Sequence, residues 1–331
     1  MEISCAFPTT LDSAEHIGVA EELGFSRAWL YDTPQQSPDV WMMLSLAAQR
    51  TSRIGLGPGV LVPSLRHPMV NAAATASLVA MAPGRVAVAF GTGFSGRRAM
   101  GYRGIPMKFM LDYVRAFKAL LAGETIEWEG AQMRMLHPDG SAAPRPVSVP
   151  ILFGVHGPKG GEVAKELGDG LLLSMEPPPP YATDFDWNAI LAWGTVLDEG
   201  EPTDSPHARA AVGPGWAITY HATYELAGLE AVRQLDGGDV WADVVERADP
   251  SVRHFAVHDQ HCIGLNEADA AAWQAGAHAN LRTWTVSGTR AEVRERVARL
   301  GDQGITEFVL QPCGDDIPGE LERFAAALDG L

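Results

Sequence analysis

A (β/α)8 TIM barrel with insertions is the fold class this sequence predicts, and three observations predict it. Short apolar stretches alternate with amphipathic ones through most of the 331 residues, the rhythm of a parallel sheet with right-handed crossovers. Eight of those stretches read as strands, and several stop in glycines and polar residues. No GxGxxG follows the first strand, which disfavours the alternative, a doubly wound open sheet carrying a dinucleotide site.

The first strand is expected at Glu2–Phe7, followed by a helix from Asp12, a good N-cap, to Leu23, with Gly24 as its stop. Arg27–Tyr31 and Asp39–Arg50 form the second strand and helix. Ile54–Val60 and Arg85–Phe90 are the third and fourth strands, flanking the helix Pro68–Met81. His67 caps that helix beside Pro68, which suits the first helical position. Met107–Leu121 is the next helix, ended by Gly123, and TIEWEGAQMRML then alternates across a glycine as a small hairpin does. Ile151–Phe153, the helix Gly160–Leu167 and Gly170–Ser174 supply strands five and six. The prolines 177–180 admit only extended or turn backbone, and they open a segment expected to be an insertion over the barrel mouth at about 177–206. Arg209–Gly213 is the expected seventh strand, Ile305–Leu310 the eighth, and Gly319–Leu328 the last helix. Residues 1–331 are expected to form a single domain.

A hydrophobic fraction of 46% with 20% charged residues describes a soluble chain with a large core. The net charge of -16, without a basic stripe, argues against nucleic acid as a partner. No run approaches the roughly 20 apolar residues of a membrane span. MEISCAFPTT lacks the charged and apolar regions of a signal peptide. Cys5, Cys262 and Cys313 are too scattered for a disulfide framework and read as small buried hydrophobes. A cytoplasmic location is therefore expected.

In a βα barrel the C-terminal strand ends carry the chemistry. Asp32, in WLYDTP, is a carboxylate at the end of strand two, or else a turn residue. Gly91, Thr92 and Gly93 end strand four; the glycines let a flat ring approach the backbone and Thr92 offers a directional hydrogen bond. Arg97, Arg98, Arg103 and Lys108 follow as a basic cluster suited to an anionic tail, or to plain solvation. Gly157, Pro158, Lys159, Gly160 and Gly161 place bare backbone N–H groups and a lysine at a helix N-terminus, which binds phosphate, although glycines also serve ordinary tight turning. His254, His258 and His261 form HxxxHxxH; the i,i+3 pair hints at a metal, yet no Cys or Glu completes a ligand set, and none is expected. Trp216, Tyr220 and His221 are read as core aromatics or pocket lining.

In this order and spacing, GVLVPSLRHP, GTGFSGRR, DTP, HGPKGG and GDG resemble the luciferase-like flavin- and deazaflavin-dependent oxidoreductases along essentially the whole chain. The resemblance implies a bacterial-luciferase-like barrel that uses coenzyme F420 or FMN. It implies a non-proline cis peptide around Val60–Leu61 as a backstop for the ring, and a cofactor phosphate on Gly157–Gly161. It also makes His258 the leading proton-transfer candidate, beside Asp32. Phe94 stands where relatives carry an acid, and Thr33 leaves the strand-two motif without the histidine some members use, so those two roles are not carried over. The DTP, GTGFS and HGPK segments stand nearer the F420-using, methylenetetrahydromethanopterin-reductase-like group. The implied activity is hydride transfer between coenzyme F420 and a small organic substrate. The alternatives are an FMN-dependent monooxygenase fed by a flavin reductase, and a flavin-binding protein without catalysis. The resemblance further implies a homodimer.

Overall fold

The computed structural model describes residues 1–330. Eight parallel strands form one sheet: β1 (Glu2–Phe7), β2 (Arg27–Leu30), β3 (Gly55–Pro58), β4 (Val88–Gly91), β5 (Ile151–Gly154), β6 (Gly170–Leu173), β7 (Trp187–Trp193) and β8 (Glu307–Gln311). Their order is β3-β2-β1-β8-β7-β6-β5-β4. Isolated parallel bridges Leu56–Val86 and Leu61–Phe90 join β3 to β4 and close the barrel.

Packing explains the glycine-rich β3. Trp29 fills the interior among Ala6, Ala87, Ala89 and Ala189, the alternation of large and small side chains that a narrow barrel needs. A Cβ on Gly57 would come within 2.2 Å of the Ala87 carbonyl and 2.8 Å of the Trp29 ring, so only glycine fits beneath the indole. At the N-terminal end Glu307 accepts from Trp29 Nε1 at 3.2 Å and from Trp187 Nε1 at 2.5 Å. The Arg27 guanidinium lies over both indoles, 5.3 and 5.0 Å from their ring centroids.

Around the sheet run α1 (Ser13–Glu22), α2 (Val40–Arg50), α3 (Pro68–Met81), α4 (Met107–Ala122) and α5 (Pro158–Leu167). α3 has the bounds its sequence predicts; His67 Nδ1 accepts from the Met69 N–H at 3.1 Å and Pro68 follows it. The hairpin is present as Ile126–Trp128 paired with Ala131–Met133.

Two expectations fail together. Arg209–Gly213 is not a strand; it lies inside α6 (Pro206–Ala227), whose N-cap Ser205 accepts from the Ala208 N–H. Its apolar run, which reads as a buried strand, is the buried face of that helix, with Ala208, Ala211 and Val212 covered. The seventh strand is instead β7, inside the 177–206 segment that the sequence assigns to an insertion. WNAILAW pairs with β6 on one side and β8 on the other, and the adjacent prolines obscure it in the sequence.

The real insertion comes after β7. Residues 194–289 hold α6, α7 (Gly238–Glu246) and α8 (Glu267–Gln274) before α9 (Arg290–Asp302) and α10 (Ile317–Leu328) resume the barrel. The insertion has its own core, built on Trp216, Tyr220, Trp241 and Trp273. Ring centroids of Trp216 lie 5.0 Å from Tyr220 and 5.1 Å from Trp273.

Candidate active site

Successive residues at the β3 exit face opposite ways, as in any extended strand. Val60 joins the interior cluster and stays partly open to solvent. Leu61 points outward, fully buried against the helical layer, which removes it from the expected cofactor surface. The non-proline cis peptide is Gly59–Val60, one bond before the expected position. Val60 is seated on two glycines: a Cβ on Gly91 would meet its Cγ2 at 2.4 Å, and one on Gly154 would meet its Cγ1 at 3.1 Å. The strand-end glycines therefore set Val60 in place, leaving an apolar platform at the mouth.

Gly93 adopts φ 86, a left-handed conformation that starts the short helix Phe94–Arg98. The Thr92 carbonyl accepts from the Ile105 N–H at 2.9 Å, and the Thr92 side chain stays half-buried at the rim. Across the mouth His156 Nε2 accepts from the Ser174 N–H at 3.2 Å, and burial holds this imidazole below its ordinary pKa. Beyond it α5 begins at Gly157 with Pro158 in its first turn and Lys159 exposed. Gly160 and Gly161 are glycine for packing reasons. A Cβ on them would lie 2.6 Å from Val155 and 2.8 Å from the Tyr181 ring, and both N–H groups already donate to the Gly157 carbonyl.

Asp32 is held fast. Arg66 Nη1 donates to both its carboxylate oxygens at 2.7 Å, and Nη2 donates to Asp39 at 2.7 Å. Asp39 in turn caps α2 by accepting from Trp41 and Met42 N–H. Burial pushes the Asp32 carboxyl up against Arg66's pull. Burial pulls the Arg66 guanidinium down, but the two carboxylates more than reverse this. With two 2.7 Å bonds from one guanidinium, the pair is charged at neutral pH.

The basic cluster is mostly spoken for. Arg98 pairs with Glu225, Lys108 with Asp112, and Arg97 donates to Ser64 and to the Arg103 carbonyl.

His258 and His261 meet a third imidazole that their spacing does not reveal. His221 on α6 has its Nδ1 2.7 Å from His261 Nδ1. Its Nε2 donates to Asp269 at 3.0 Å, and Asp269 also accepts from Trp241 Nε1 and the Asn266 N–H. His261 Nε2 lies 2.8 Å from Ser95 Oγ in the loop after β4. His258 Nε2 donates to Glu225 at 2.8 Å. Burial, then the neighbouring imidazoles His221 and His258, holds His261 well below its ordinary pKa. Burial also lowers His258 against the pull of Glu225.

The turn that carries His261 packs on the interior cluster of the barrel through Cys262. Gln260 and Cys262 take φ of 57 and 65, and that cluster includes Tyr31, whose hydroxyl donates to Gln311 at 2.5 Å. Burial pushes the Cys262 thiol far up, so it behaves as a hydrophobe. An open cleft of about 510 Å³ lies outside the turn, lined by Gln35, Gln36, His258 and Gln260 among others. Sequence reasoning missed Arg66, Ser95, His156, Glu225 and Asp269 as site residues. Only Ser95, directly after Gly91–Phe94, carries a local signal.

A closed parallel barrel with a glycine-seated apolar platform and polar rim groups at its C-terminal mouth is the architecture of an enzyme whose site lies at its strand ends. The chain matches the sequence model of the luciferase-like monooxygenases over residues 10–307, and it belongs to that family. It is 29% identical to a 5,10-methylenetetrahydromethanopterin reductase of Archaeoglobus fulgidus, covering 91% of this chain and 90% of that protein. It is 33% identical to an F420-dependent glucose-6-phosphate dehydrogenase of Kineococcus radiotolerans, covering 93% and 88%. The structure of the F420-dependent tetrahydromethanopterin reductase of Methanopyrus kandleri superposes with a TM-score of 0.69 at 20% identity, covering 99% of each chain. A monooxygenase from Streptomyces bottropensis superposes at 0.65 and 20% identity, covering 99% of this chain and 98% of that one. Among the described residues no helix is long and apolar enough to cross a membrane.

Proposed function

We propose that this chain is an oxidoreductase that moves a hydride between coenzyme F420 and a small organic substrate. The observation that carries the reading is the Val60 platform, fixed by Gly91 and Gly154 and partly open at the mouth. Side chains on those glycines would displace the valine, so the apolar face against which a flat ring would rest depends on them. Relatives sharing 29–33% identity across about nine tenths of the chain are named for F420 or methylenetetrahydromethanopterin chemistry. When bound, the deazaflavin would supply the hydride chemistry.

The protein's part is placement. Val60 and Gly91–Gly93 would back the ring, while Lys159 and the Gly157–Pro158 turn would face the phosphate tail. Gly160 and Gly161 shape that turn from behind. Asp32 then acts as a positioning residue that anchors the β2 exit through Arg66, and His258 stands behind the β4 loop. Residues 1–331 act as one unit in this reading, cytoplasmic and homodimeric; sedimentation analysis checks the dimer.

The family's description names monooxygenases, which supports a second reading, FMN-dependent monooxygenation with a separate flavin reductase. Parallel fluorescence titrations with F420 and FMN separate the two. Tight F420 binding with weak FMN binding is expected. The reverse preference makes the monooxygenase the better reading, and binding of neither overturns both.

A further inference from the structure

Three imidazoles from two stretches of the insertion converge behind the β4 loop: His221 on α6, and His258 and His261 around the end of the short helix Arg253–His258. One ring nitrogen of each lies within 4.8 Å of the other two, and the residues are 1–2% exposed. Every outward nitrogen is occupied, His221 Nε2 on Asp269, His258 Nε2 on Glu225 and His261 Nε2 on Ser95 Oγ. The nitrogens that remain are the three Nδ1 atoms. One proton can bridge His221 and His261, whose Nδ1 atoms are 2.7 Å apart. His258 Nδ1 is buried without any hydrogen-bond partner.

We propose that these three Nδ1 atoms bind one divalent transition-metal ion, with Zn²⁺ the ion best suited to an all-imidazole set. Imidazole ligands select zinc and its neighbours over magnesium or calcium. Ligating histidines characteristically give their second nitrogen to a carboxylate, carbonyl or similar acceptor, which fixes ring orientation; here Asp269, Glu225 and Ser95 occupy that position. Asp269 is fully buried, and among the described residues no lysine or arginine pairs with it. A dication beyond His221 supplies the missing positive charge.

Zinc–nitrogen bonds of about 2.0–2.1 Å in tetrahedral geometry put ligand nitrogens roughly 3.3 Å apart. The His221–His261 contact, 2.7 Å here, therefore opens by about 0.6 Å on loading. Three protein ligands leave the fourth position to a water or small anion, and the cleft that reaches His258 gives the ion a way in. Metallation of His261 Nδ1 leaves its proton on Nε2, so the imidazole donates to Ser95 Oγ. The ion thus clasps α6, the short helix Arg253–His258 and the mouth turn onto the loop after β4.

The test uses the full-length purified protein, stripped with chelator and titrated with Zn²⁺ alone, with no cofactor present. One Zn²⁺ per chain is expected, together with a rise in thermal midpoint of roughly 5 °C or more at saturating metal. Co²⁺ loading should give the visible spectrum of a tetrahedral, nitrogen-rich site. His221→Gln and His258→Gln should each weaken binding at least about 100-fold, and Asp269→Asn by about 10- to 100-fold. If His221→Gln fails to fold, His258→Gln, at the cleft edge, carries the test. Absence of stoichiometric binding, or binding unchanged in both His258→Gln and His261→Gln, overturns the site. Because the readout is metal content, failure here and failure of the cofactor reading are separate results.

Discussion

Replacing Arg66 with methionine removes the cation that holds Asp32, a carboxylate whose side chain is 1% exposed. Asp32 then keeps its charge without a partner or takes up a proton, and either state costs stability. Breaking a buried pair from one side costs about 3–5 kcal/mol. Asp32→Asn is milder, because Arg66 keeps Asp39, which is 39% exposed and partly solvated; about 1–2 kcal/mol is expected. The double variant should lose less than the sum, with a coupling of about 2 kcal/mol or more. Urea unfolding of all four proteins measures these values. The Arg66→Met deficit should shrink on acidification, since a protonated Asp32 no longer needs a cation. An Arg66→Met protein within about 1 kcal/mol of the parent would refute the ion-pair reasoning. An Asp32→Asn protein of unchanged stability but greatly reduced turnover would return the carboxylate to the chemistry.

Gly91→Val forces a side chain into the space Val60 fills at 2.4 Å, so cofactor affinity should fall more than about tenfold and stability by about 1–3 kcal/mol; fluorescence titration and thermal melts check both. Lys159→Ala should weaken cofactor binding about fivefold at low salt, less at high salt, with the fold unchanged. Unchanged affinity would remove Lys159 from the site. Glu21 gives an acid signature. Burial pushes its carboxyl up, but bonds from the Ile54, Arg53 and Ser52 N–H groups outweigh that and bring it from 4.5 to about 2. Because the folded pKa is depressed, this stability is present above about pH 4.5 and is lost as pH falls toward 2. The full shift caps it at about 3 kcal/mol, and screening at a partly exposed site leaves about 1–2. Glu21→Gln should therefore flatten the stability profile between those limits in urea melts.

Local signals made most of the barrel legible. The His67–Pro68 start of α3 and the left-handed Gly123 after α4 are sequence-encoded stops and starts. The strand-end glycines were legible too, and Gly91 and Gly154 prove to be packed against Val60 at the barrel mouth. What stayed hidden depends on long-range contact. β7 is recognisable only once β6 and β8 flank it. The facing of Val60 against Leu61 turns on a register that no motif fixes. His221 sits 40 positions before His261 in an aromatic run whose other members, Trp216 and Tyr220, are core. Nothing in its spacing tells it from them.

The turn at Gln260–Cys262 covers the β2 and β8 side of the barrel mouth and leaves the Val60–Gly154 side uncovered. Val60 stays partly open with the turn in place, so access to it needs no movement of that turn. The same turn carries His261 and Cys262, so a substitution that loosens it would disturb the histidine cluster and the covered side of the mouth together.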